Sequence, residues 1–253
     1  MIIEDLKRGG ISVDKNAHVS FLHSIKNSVP LILLPGSYSD ALQFKGLLKH
    51  LPDECSVVIV EARGHGQSWP PVKKGSINLF ARDVVAVANE LGLEKFHVGG
   101  HSIGGMIAIE VARICPEKVA GVVSIEGWTN HRAAKDAYKG IDMNCTLSKE
   151  QLEYKRRNRE RVLKNWTKKQ VKHFGTRWRK WDGLPFLSES TIPILEIYGD
   201  RGSGAADQDL LQIPRRENIQ FVVIENGSHS LPLQYPEKLA HLIIDFLRDS
   251  SND

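Results

Sequence analysis

The chain has 253 residues, of which 41% are hydrophobic and 25% are charged. This composition is usual for a globular protein, and the length suits one large domain that carries an insertion. No apolar run is long enough to span a bilayer, and the first residues lack the apolar core of a secretory signal. Three widely spaced cysteines form neither a disulfide framework nor a zinc pattern. The sequence therefore predicts a cytoplasmic protein with no metal and no membrane contact.

The net charge of +4 is unevenly distributed along the chain. Residues 129–183 contain sixteen Lys/Arg and only six Asp/Glu. Such an excess indicates solvated helical faces or a field that attracts anionic substrates. No nucleic-acid-binding module accompanies it. The expected partner is a small-molecule substrate, with the protein a monomer or homodimer and no nucleic acid bound.

The spacing of apolar residues predicts the elements in chain order. Residues 10–14 and 18–25 are predicted to form an antiparallel strand pair. Six further runs rich in β-branched residues are predicted strands: 29–35, 56–61, 95–99, 119–126, 192–198 and 219–224. Segments of helical periodicity lie between them: 41–51, 79–91, 104–114 and 236–248. We expect Asp40 to cap the first of these helices.

This alternation of strands and helices predicts an α/β fold with a mostly parallel central sheet flanked by helices. Most of the strands are continuously apolar, as is typical when helices cover both faces of a sheet. The alternation breaks at residues 128–187, where Lys/Arg-rich helical sequence replaces strands. We expect a core of residues 1–127 and 188–253, with a helical cap of 128–187 over the carboxyl edge of the sheet.

A glycine-rich pentapeptide, Gly-His-Ser-Ile-Gly at residues 100–104, joins a predicted strand to a predicted helix. A serine at such a bend needs small neighbours, so that its hydroxyl protrudes and the helix packs closely on the strand. The free amides of the helix N-terminus also favour negative charge there. The context predicts Ser102 as a nucleophile.

Four segments of the chain resemble the α/β-hydrolase superfamily, and together they extend over nearly the whole sequence. They are LILLPGSYSD at 31–40, EARGHGQSWPP at 61–71, NELGLEKFHVGGHSIGG at 89–105 and NGSHSLPLQYPEKLAHLIIDFL at 226–247. Two positions depart from the family pattern. Glu61 replaces the usual Asp of the second segment, and Pro35 replaces a frequent His in the first. The resemblance implies an α/β-hydrolase fold with a serine nucleophile and no cofactor.

A serine nucleophile requires a base, and His229 is the candidate because it follows the last predicted strand, at the edge where Ser102 emerges. The third member would fix the imidazole tautomer. Glu126 ends the strand VVSIE, where some relatives of the family carry their acid, and we favour it. Asp200 is the main alternative, since it lies near the more common family position, and Asp207 is a further one.

The resemblance implies an oxyanion hole formed by the backbone N–H groups of Ser37 and Ile103. Four tryptophans in or beside the insertion are candidates for an apolar pocket above Ser102, or for packing the cap on the sheet: Trp128, Trp166, Trp178 and Trp181.

These residues predict a serine hydrolase that cleaves an ester, thioester or lactone of a small, partly apolar molecule. Cleavage of a C–C bond would use the same apparatus. Two alternatives remain: a cofactor-free dioxygenase of an N-heteroaromatic ring, which uses a similar His–acid pair, and a non-catalytic ligand-binding protein of the same fold.

Overall fold

A central eight-stranded sheet organises the computed structural model, which describes residues 1–71 and 75–250. The spatial order is β1-β2-β4-β3-β5-β6-β7-β8. The first two strands pair antiparallel, β2 also runs antiparallel to β4, and the remaining pairs are parallel. The strands are β1 (Lys7–Asp14), β2 (Ala17–Ser24), β3 (Leu31–Leu34), β4 (Val57–Val60), β5 (Phe96–His101), β6 (Val119–Ile125), β7 (Ile194–Gly199) and β8 (Ile219–Ile224). The predicted α/β class and mostly parallel sheet are confirmed.

Helices cover both faces of the sheet. They are α1 (Lys45–Leu48), α2 (Ile77–Glu90), α3 (Ile103–Ile114), α4 (His131–Ala137), α5 (Lys149–Leu163), α6 (Lys168–Phe174), α7 (Leu184–Glu189), α8 (Leu231–Gln234) and α9 (Pro236–Asp249). The helix predicted at 41–51 is instead a 3₁₀ turn at Ala41–Phe44 followed by the short α1. Asp40 caps this turn as predicted, its carboxylate accepting the Leu42 N–H at 3.2 Å.

Strand side chains alternate between two apolar layers. Ile32 and Val98 pack on the side of α2 and α3, whereas Leu31 and Leu33 pack on the side of α1 and α9. All four side chains are buried. Continuous apolar strands are therefore required here, because each residue meets a helix whichever way it points.

The glycines around Ser102 allow α3 to lie directly against the sheet. A Cβ on Gly104 would lie 2.1 Å from the Leu34 carbonyl oxygen, and one on Gly100 would lie 2.4 Å from the backbone of Gly104. Both obstacles are backbone atoms, which cannot rotate away. The close approach fixes where the amino end of α3 sits relative to β3 and β5.

One carboxyl group is buried within the apolar layers. Glu196 of β7 is 1% exposed and pairs in register with Ser124 of β6. Burial raises the pKa of its carboxyl to about 8, so the side chain is mostly uncharged at neutral pH.

Helices α4 to α7 all lie between β6 and β7 in the chain. The longest, α5, begins with a capping box formed by Ser148 and Gln151. Within the described residues of this segment, extended pairing is limited to one bridge between Asn130 and Asp182. The helical character of the insertion agrees with the sequence; its status as a separate cap remains a prediction.

The described ranges, 1–71 and 75–250, lack two features. No helix there combines the length and apolarity needed to cross a membrane. No cluster of three or more His, Cys, Asp or Glu side chains there is arranged to hold a metal ion.

The backbone contact of Gly104 leads to a stability prediction. Gly104→Ala should lower the free energy of unfolding by about 2 kcal/mol, because its methyl group forces α3 away from Leu34. Urea unfolding followed by circular dichroism measures this. Gly10→Ala is the control, since the atoms nearest its added Cβ belong to the exposed, rotatable His18 ring, and we expect a change below about 0.5 kcal/mol. Equal losses in both variants would contradict the close-packing argument.

Candidate active site

Ser102 lies at the tip of β5, where the strand turns into α3. Its backbone has φ 56° and ψ −121°, a strained conformation that non-glycine residues rarely adopt. The Ser102 N–H donates to the Ile125 carbonyl oxygen at 2.8 Å, which ties the bend to β6. The geometry leaves the hydroxyl at the carboxyl edge of the parallel strands.

Three side chains form a continuous hydrogen-bonded chain at this edge. The Ser102 Oγ lies 3.1 Å from His229 Nε2, and His229 Nδ1 lies 3.0 Å from Glu126 Oε2. Because an ionised carboxylate only accepts, Nδ1 carries the ring proton and Nε2 is free to accept the Ser102 hydroxyl proton. The structure thus brings together the predicted nucleophile, base and preferred acid.

The Glu126 carboxylate is fully buried and paired with Arg201, whose guanidinium is also fully buried. Arg201 Nη1 donates to Oε1 at 2.8 Å and Nη2 to Oε2 at 2.5 Å, while the Gly199 N–H donates to Oε1 at 2.7 Å. Burial alone would raise the pKa of Glu126, but hydrogen bonds and charge from His229 and Arg201 hold it at about 2. The carboxylate is therefore charged at all physiological pH values.

The loop after β6 is strained where it presents the acid. Glu126 has φ 56° and Trp128 has φ 43°, and both values cost energy for a residue with a side chain. Gly127 between them packs on α3, where a Cβ would lie 2.9 Å from Gly105 Cα. Gly127 thus packs tightly on α3 between two strained residues, Glu126 and Trp128, whose side chains both contact His229.

The imidazole of His229 is enclosed by aromatic groups. The Trp128 ring stacks on it with centroids 5.0 Å apart and planes at 24°. Burial lowers the pKa of His229; Glu126 opposes this effect, and Arg201 and Lys155 add to it. The ring is consequently neutral at pH 7, as a general base must be.

A second set of hydrogen bonds links the loop after β3 to the loop that carries His229. Gln43 Oε1 accepts the Gly36 N–H at 2.7 Å, and Gln43 Nε2 lies 2.9 Å from His101 Nδ1. His101 Nε2 lies 2.6 Å from the His229 carbonyl oxygen. These contacts fix the His101 tautomer, with the proton on Nε2, and burial lowers its pKa to about 3. The neutral His101 ring thus links the two loops through hydrogen bonds.

Of the two residues predicted to supply an oxyanion hole, Ile103 directly follows Ser102 and Ser37 lines the same cavity. Ile103 is the first residue of α3, so its N–H has no acceptor within the helix. Around Ser37, the Gly36 N–H is held by Gln43 and the Tyr38 N–H by His65 Nε2 at 3.0 Å. Ser37 itself lines the cavity that contains Ser102. Its role as a donor remains a prediction.

A cavity of about 330 Å³ opens above Ser102 and His229. The loop after β3 and helix α5 form much of its wall. Two of the four candidate tryptophans, Trp128 and Trp178, line it, and their rings lie 5.5 Å apart. Its volume suits a small organic molecule.

The pocket prediction for the other two tryptophans does not hold in the structure. The Trp166 indole donates to the Gly64 carbonyl oxygen at 2.7 Å, and the Trp181 indole donates to Glu110 at 3.1 Å. These bonds hold both rings against the core, outside the lining of the cavity. They match the packing alternative instead.

The alternative acids lie elsewhere. The Asp200 carboxylate accepts the Gly202 N–H at 2.8 Å, and Asp207 accepts the Leu210 N–H at 2.8 Å. Both carboxylates serve local turns, and in the described structure neither contacts His229.

A larger cavity of about 550 Å³ lies at the opposite edge of the sheet, where Leu31 and Val57 begin their strands and His97 is the second residue of β5. It contains none of the candidate residues. Ligands of open parallel sheets bind at the carboxyl ends of the strands, so the smaller cavity is the better candidate site.

Sequence reasoning missed several residues around the site. Arg201 lies in the segment Gly-Asp-Arg-Gly, which is ordinary turn sequence, and nothing in it indicates a partner for Glu126. Lys155 and Arg159 of α5 line the cavity, but their spacing on a strongly basic helix did not distinguish them from their neighbours. The available signal was their spacing of four residues, which places Lys155 and Arg159 on the same face of a helix.

Comparisons with known proteins agree with this geometry. The family described as "alpha/beta hydrolase fold" matches residues 29–144. The "Putative carbamate hydrolase RutD" of Azorhizobium caulinodans is 32% identical over 99 residues, or 39% of this chain and 37% of that protein. A "Putative esterase/lipase" of Haemophilus influenzae is 29% identical over 123 residues, or 44% of this chain and 42% of that protein. The chain thus spans less than half the length of the curated relatives it matches.

Solved structures resemble the chain over almost its whole length. A membrane phospholipase A described as a bacterial virulence factor gives a TM-score of 0.78 at 22% identity, covering 99% of this chain and 88% of that one. An N-acyl homoserine lactone degrading enzyme gives 0.76 at 20%, covering 94% and 100%. A thermophilic esterase from Thermogutta terrifontis gives 0.74 at 21%, covering 96% and 99%.

The sheet order and the strained serine bend define a protein of the α/β-hydrolase fold. The family match over residues 29–144, which is less than half of the chain, agrees with this fold.

The buried pair of Glu126 and Arg201 leads to a second stability prediction. Arg201→Met should lower the free energy of unfolding by about 3 kcal/mol, because it leaves the Glu126 charge buried without its cation. Urea unfolding at pH 7 measures the loss. Arg215→Met is the control, since its pair with Asp209 is exposed and should contribute nothing measurable. Similar losses in both variants would contradict the argument.

Proposed function

We propose that the protein is a serine hydrolase that cleaves an ester, thioester or lactone bond of a small, partly apolar molecule through an acyl-enzyme intermediate. One observation carries this proposal: the hydrogen-bonded chain from Ser102 through His229 to Glu126 opens into a cavity of small-molecule size. A hydroxyl next to a neutral, oriented imidazole is the arrangement that nucleophilic acyl transfer requires.

In the first half of the reaction Ser102 Oγ attacks the substrate carbonyl carbon, and His229 Nε2 takes the hydroxyl proton. Glu126 stabilises the imidazolium that forms, since its charge is already fixed by Arg201. The backbone N–H groups of Ser37 and Ile103 would hold the negative oxygen of the tetrahedral intermediate. Collapse expels the alcohol or thiol, which leaves with the proton from His229.

The second half reverses these roles around a water molecule. His229 removes a proton from the water, which attacks the acyl carbon, and the acid is released as Ser102 regains its proton. Because Trp128 shields one face of the imidazole, the ring stays in one orientation through both steps.

The names of the relatives support an acyl or related bond as the target. The matched relatives and structural neighbours include proteins named carbamate hydrolase, esterase, phospholipase and lactone-degrading enzyme. The tryptophans at the cavity favour a substrate with an apolar part.

The first prediction of this proposal concerns Ser102. A fluorophosphonate probe should label the protein at Ser102, and Ser102→Ala should abolish labelling and lower kcat for 4-nitrophenyl esters by at least about 10³-fold. Mass spectrometry and initial rates measure these effects. Labelling without turnover would favour a binding protein, and oxygen-dependent turnover of an N-heteroaromatic substrate would favour the dioxygenase; either result contradicts the hydrolase.

The second prediction tests which carboxylate serves as the third member of the triad, with one carboxamide variant at each candidate. Glu126→Gln should reduce kcat about 10³-fold or more, because a neutral amide no longer stabilises the imidazolium. Asp200→Asn changes a carboxylate that serves only a local turn and should leave kcat within about twofold. The opposite order would assign the acid to Asp200.

The third prediction concerns pH. Only neutral His229 accepts the serine proton, so kcat/KM falls as pH drops through the pKa of the free imidazole. Burial, with the nearby charges of Arg201 and Lys155, outweighs Glu126 and lowers that pKa. The acidic midpoint of a kcat/KM profile should therefore lie below 6.5, the ordinary value for histidine. A midpoint above 6.5 would contradict this account of the site.

A further inference from the structure

The cavity above Ser102 carries a charge that the proposed chemistry does not use. Its lining contains two cations, Lys155 and Arg159, and within the described chain it contains no carboxylate. We call these two residues the cationic pair. Glu126 lies behind the His229 ring and is already paired with Arg201, so it cannot neutralise them.

The other face of α5 shows that unpaired cations are not general on this helix. Arg156 binds Glu153 at 2.7 Å and Glu160 at 2.6 Å, and Arg157 binds Glu153 at 2.7 Å. Arg161 binds Asp40 of the core. Arg156, Arg157 and Arg161, none of which lines the cavity, thus have acidic partners. In the part of the chain that the structure describes, the cationic pair has none within ion-pair distance.

Lys155 is held in place by neutral groups. Its Nζ donates to Asn144 Oδ1 at 2.6 Å and to Ser230 Oγ at 2.8 Å, so one of its three N–H donors remains for a ligand. Ser230 follows His229 directly, which places the ammonium beside the histidine loop. Burial lowers the pKa of Lys155, with a partly opposing effect from Asp142, as expected for a cation that lacks a close anion.

Arg159 is oriented by an aromatic ring rather than by an acid. Its guanidinium carbon lies 4.2 Å from the centroid of the Tyr38 ring. Stacking of this kind uses the face of the guanidinium and leaves its edge N–H groups available to an anion. Tyr38 follows Ser37, so this cation lies beside the loop that carries the proposed oxyanion donor.

We propose that the cationic pair binds a carboxylate on the substrate, so that the natural substrate is an ester or lactone that also carries a free carboxylate. This proposal rests on the proposed function, since it names the substrate class of the same site. Two cations held over one cavity would attract such an anion and orient its scissile carbonyl toward Ser102. The cavity would thus combine a carboxylate subsite with the apolar wall of Trp128 and Trp178.

The test uses substrates that differ only in charge. 4-Nitrophenyl hemiglutarate and 4-nitrophenyl valerate have acyl chains of equal length, ending in a carboxylate and a methyl group. A second pair, 4-acetoxybutanoate and butyl acetate, moves the carboxylate to the leaving alcohol. The wild-type protein should show a higher kcat/KM for the anionic member of at least one pair.

Variants then assign that preference to the cationic pair. Lys155→Met and Arg159→Met should each reduce the anionic-to-neutral ratio of kcat/KM about tenfold, the effect of losing one charge-assisted hydrogen bond. The readout is this ratio rather than the rate with the neutral ester, because Lys155 also contacts Ser230 beside His229. Arg157→Met, on the exposed face of the same helix, should leave the ratio unchanged, and Lys155→Arg should retain most of it.

The outcomes separate this proposal from the serine-hydrolase proposal. Equal ratios in the wild type, Lys155→Met and Arg159→Met would overturn the carboxylate subsite while leaving ester hydrolysis intact. Absence of turnover with every ester would instead overturn the hydrolase. In that event, isothermal titration calorimetry on Ser102→Ala compares the binding of monomethyl glutarate with that of methyl valerate. Tighter binding of the anion that is lost when Lys155→Met is added to Ser102→Ala supports the carboxylate subsite. Equal binding of the two compounds overturns it.

Discussion

The buried ion pair between Glu126 and Arg201 is the contact on which the site depends. Both side chains are inaccessible to solvent, and the carboxylate spans from the guanidinium to the His229 ring. A charge in this position is tolerated only because each of its oxygens is held by donors. With His229, the pair also joins the loops that follow three neighbouring strands, since Glu126, Arg201 and His229 follow β6, β7 and β8.

Helix α5 completes the site from the other side. Arg161 binds Asp40 beside the loop after β3, and Lys155 binds Ser230 beside the histidine loop. The same two loops are joined underneath by Gln43 and His101. The edge that carries Ser102 is therefore held on one side by the inserted helix and on the other by the hydrogen bonds of Gln43 and His101.

The sequence was sufficient for the parts of this arrangement that depend on local pattern. Apolar periodicity gave the sheet and its flanking helices, and the glycine pentapeptide located Ser102. Strand ends made His229, Glu126 and Asp200 candidates, because carboxyl ends of parallel strands meet at one edge, and the resemblance to the family favoured Glu126 over Asp200 and Asp207. Arg201 could not be predicted, since its role depends on a contact across 75 residues of chain. The positions of Trp166 and Trp181 likewise depend on tertiary hydrogen bonds that leave no local signature.

Two buried carboxyl groups, Glu126 just after β6 and Glu196 within the neighbouring β7, differ in their charge at neutral pH. Glu126 has a cation and a lowered pKa, so its contribution to stability is lost as the solution is acidified through its folded pKa of about 2. Among the described residues Glu196 has no cationic partner, and burial raises its pKa from 4.5 to about 8. Its favourable contribution is complete below 4.5 and is lost as the medium becomes alkaline through about 8. The two carboxyl groups thus favour the folded state over different pH ranges, because the Arg201 guanidinium pairs with Glu126 and not with Glu196.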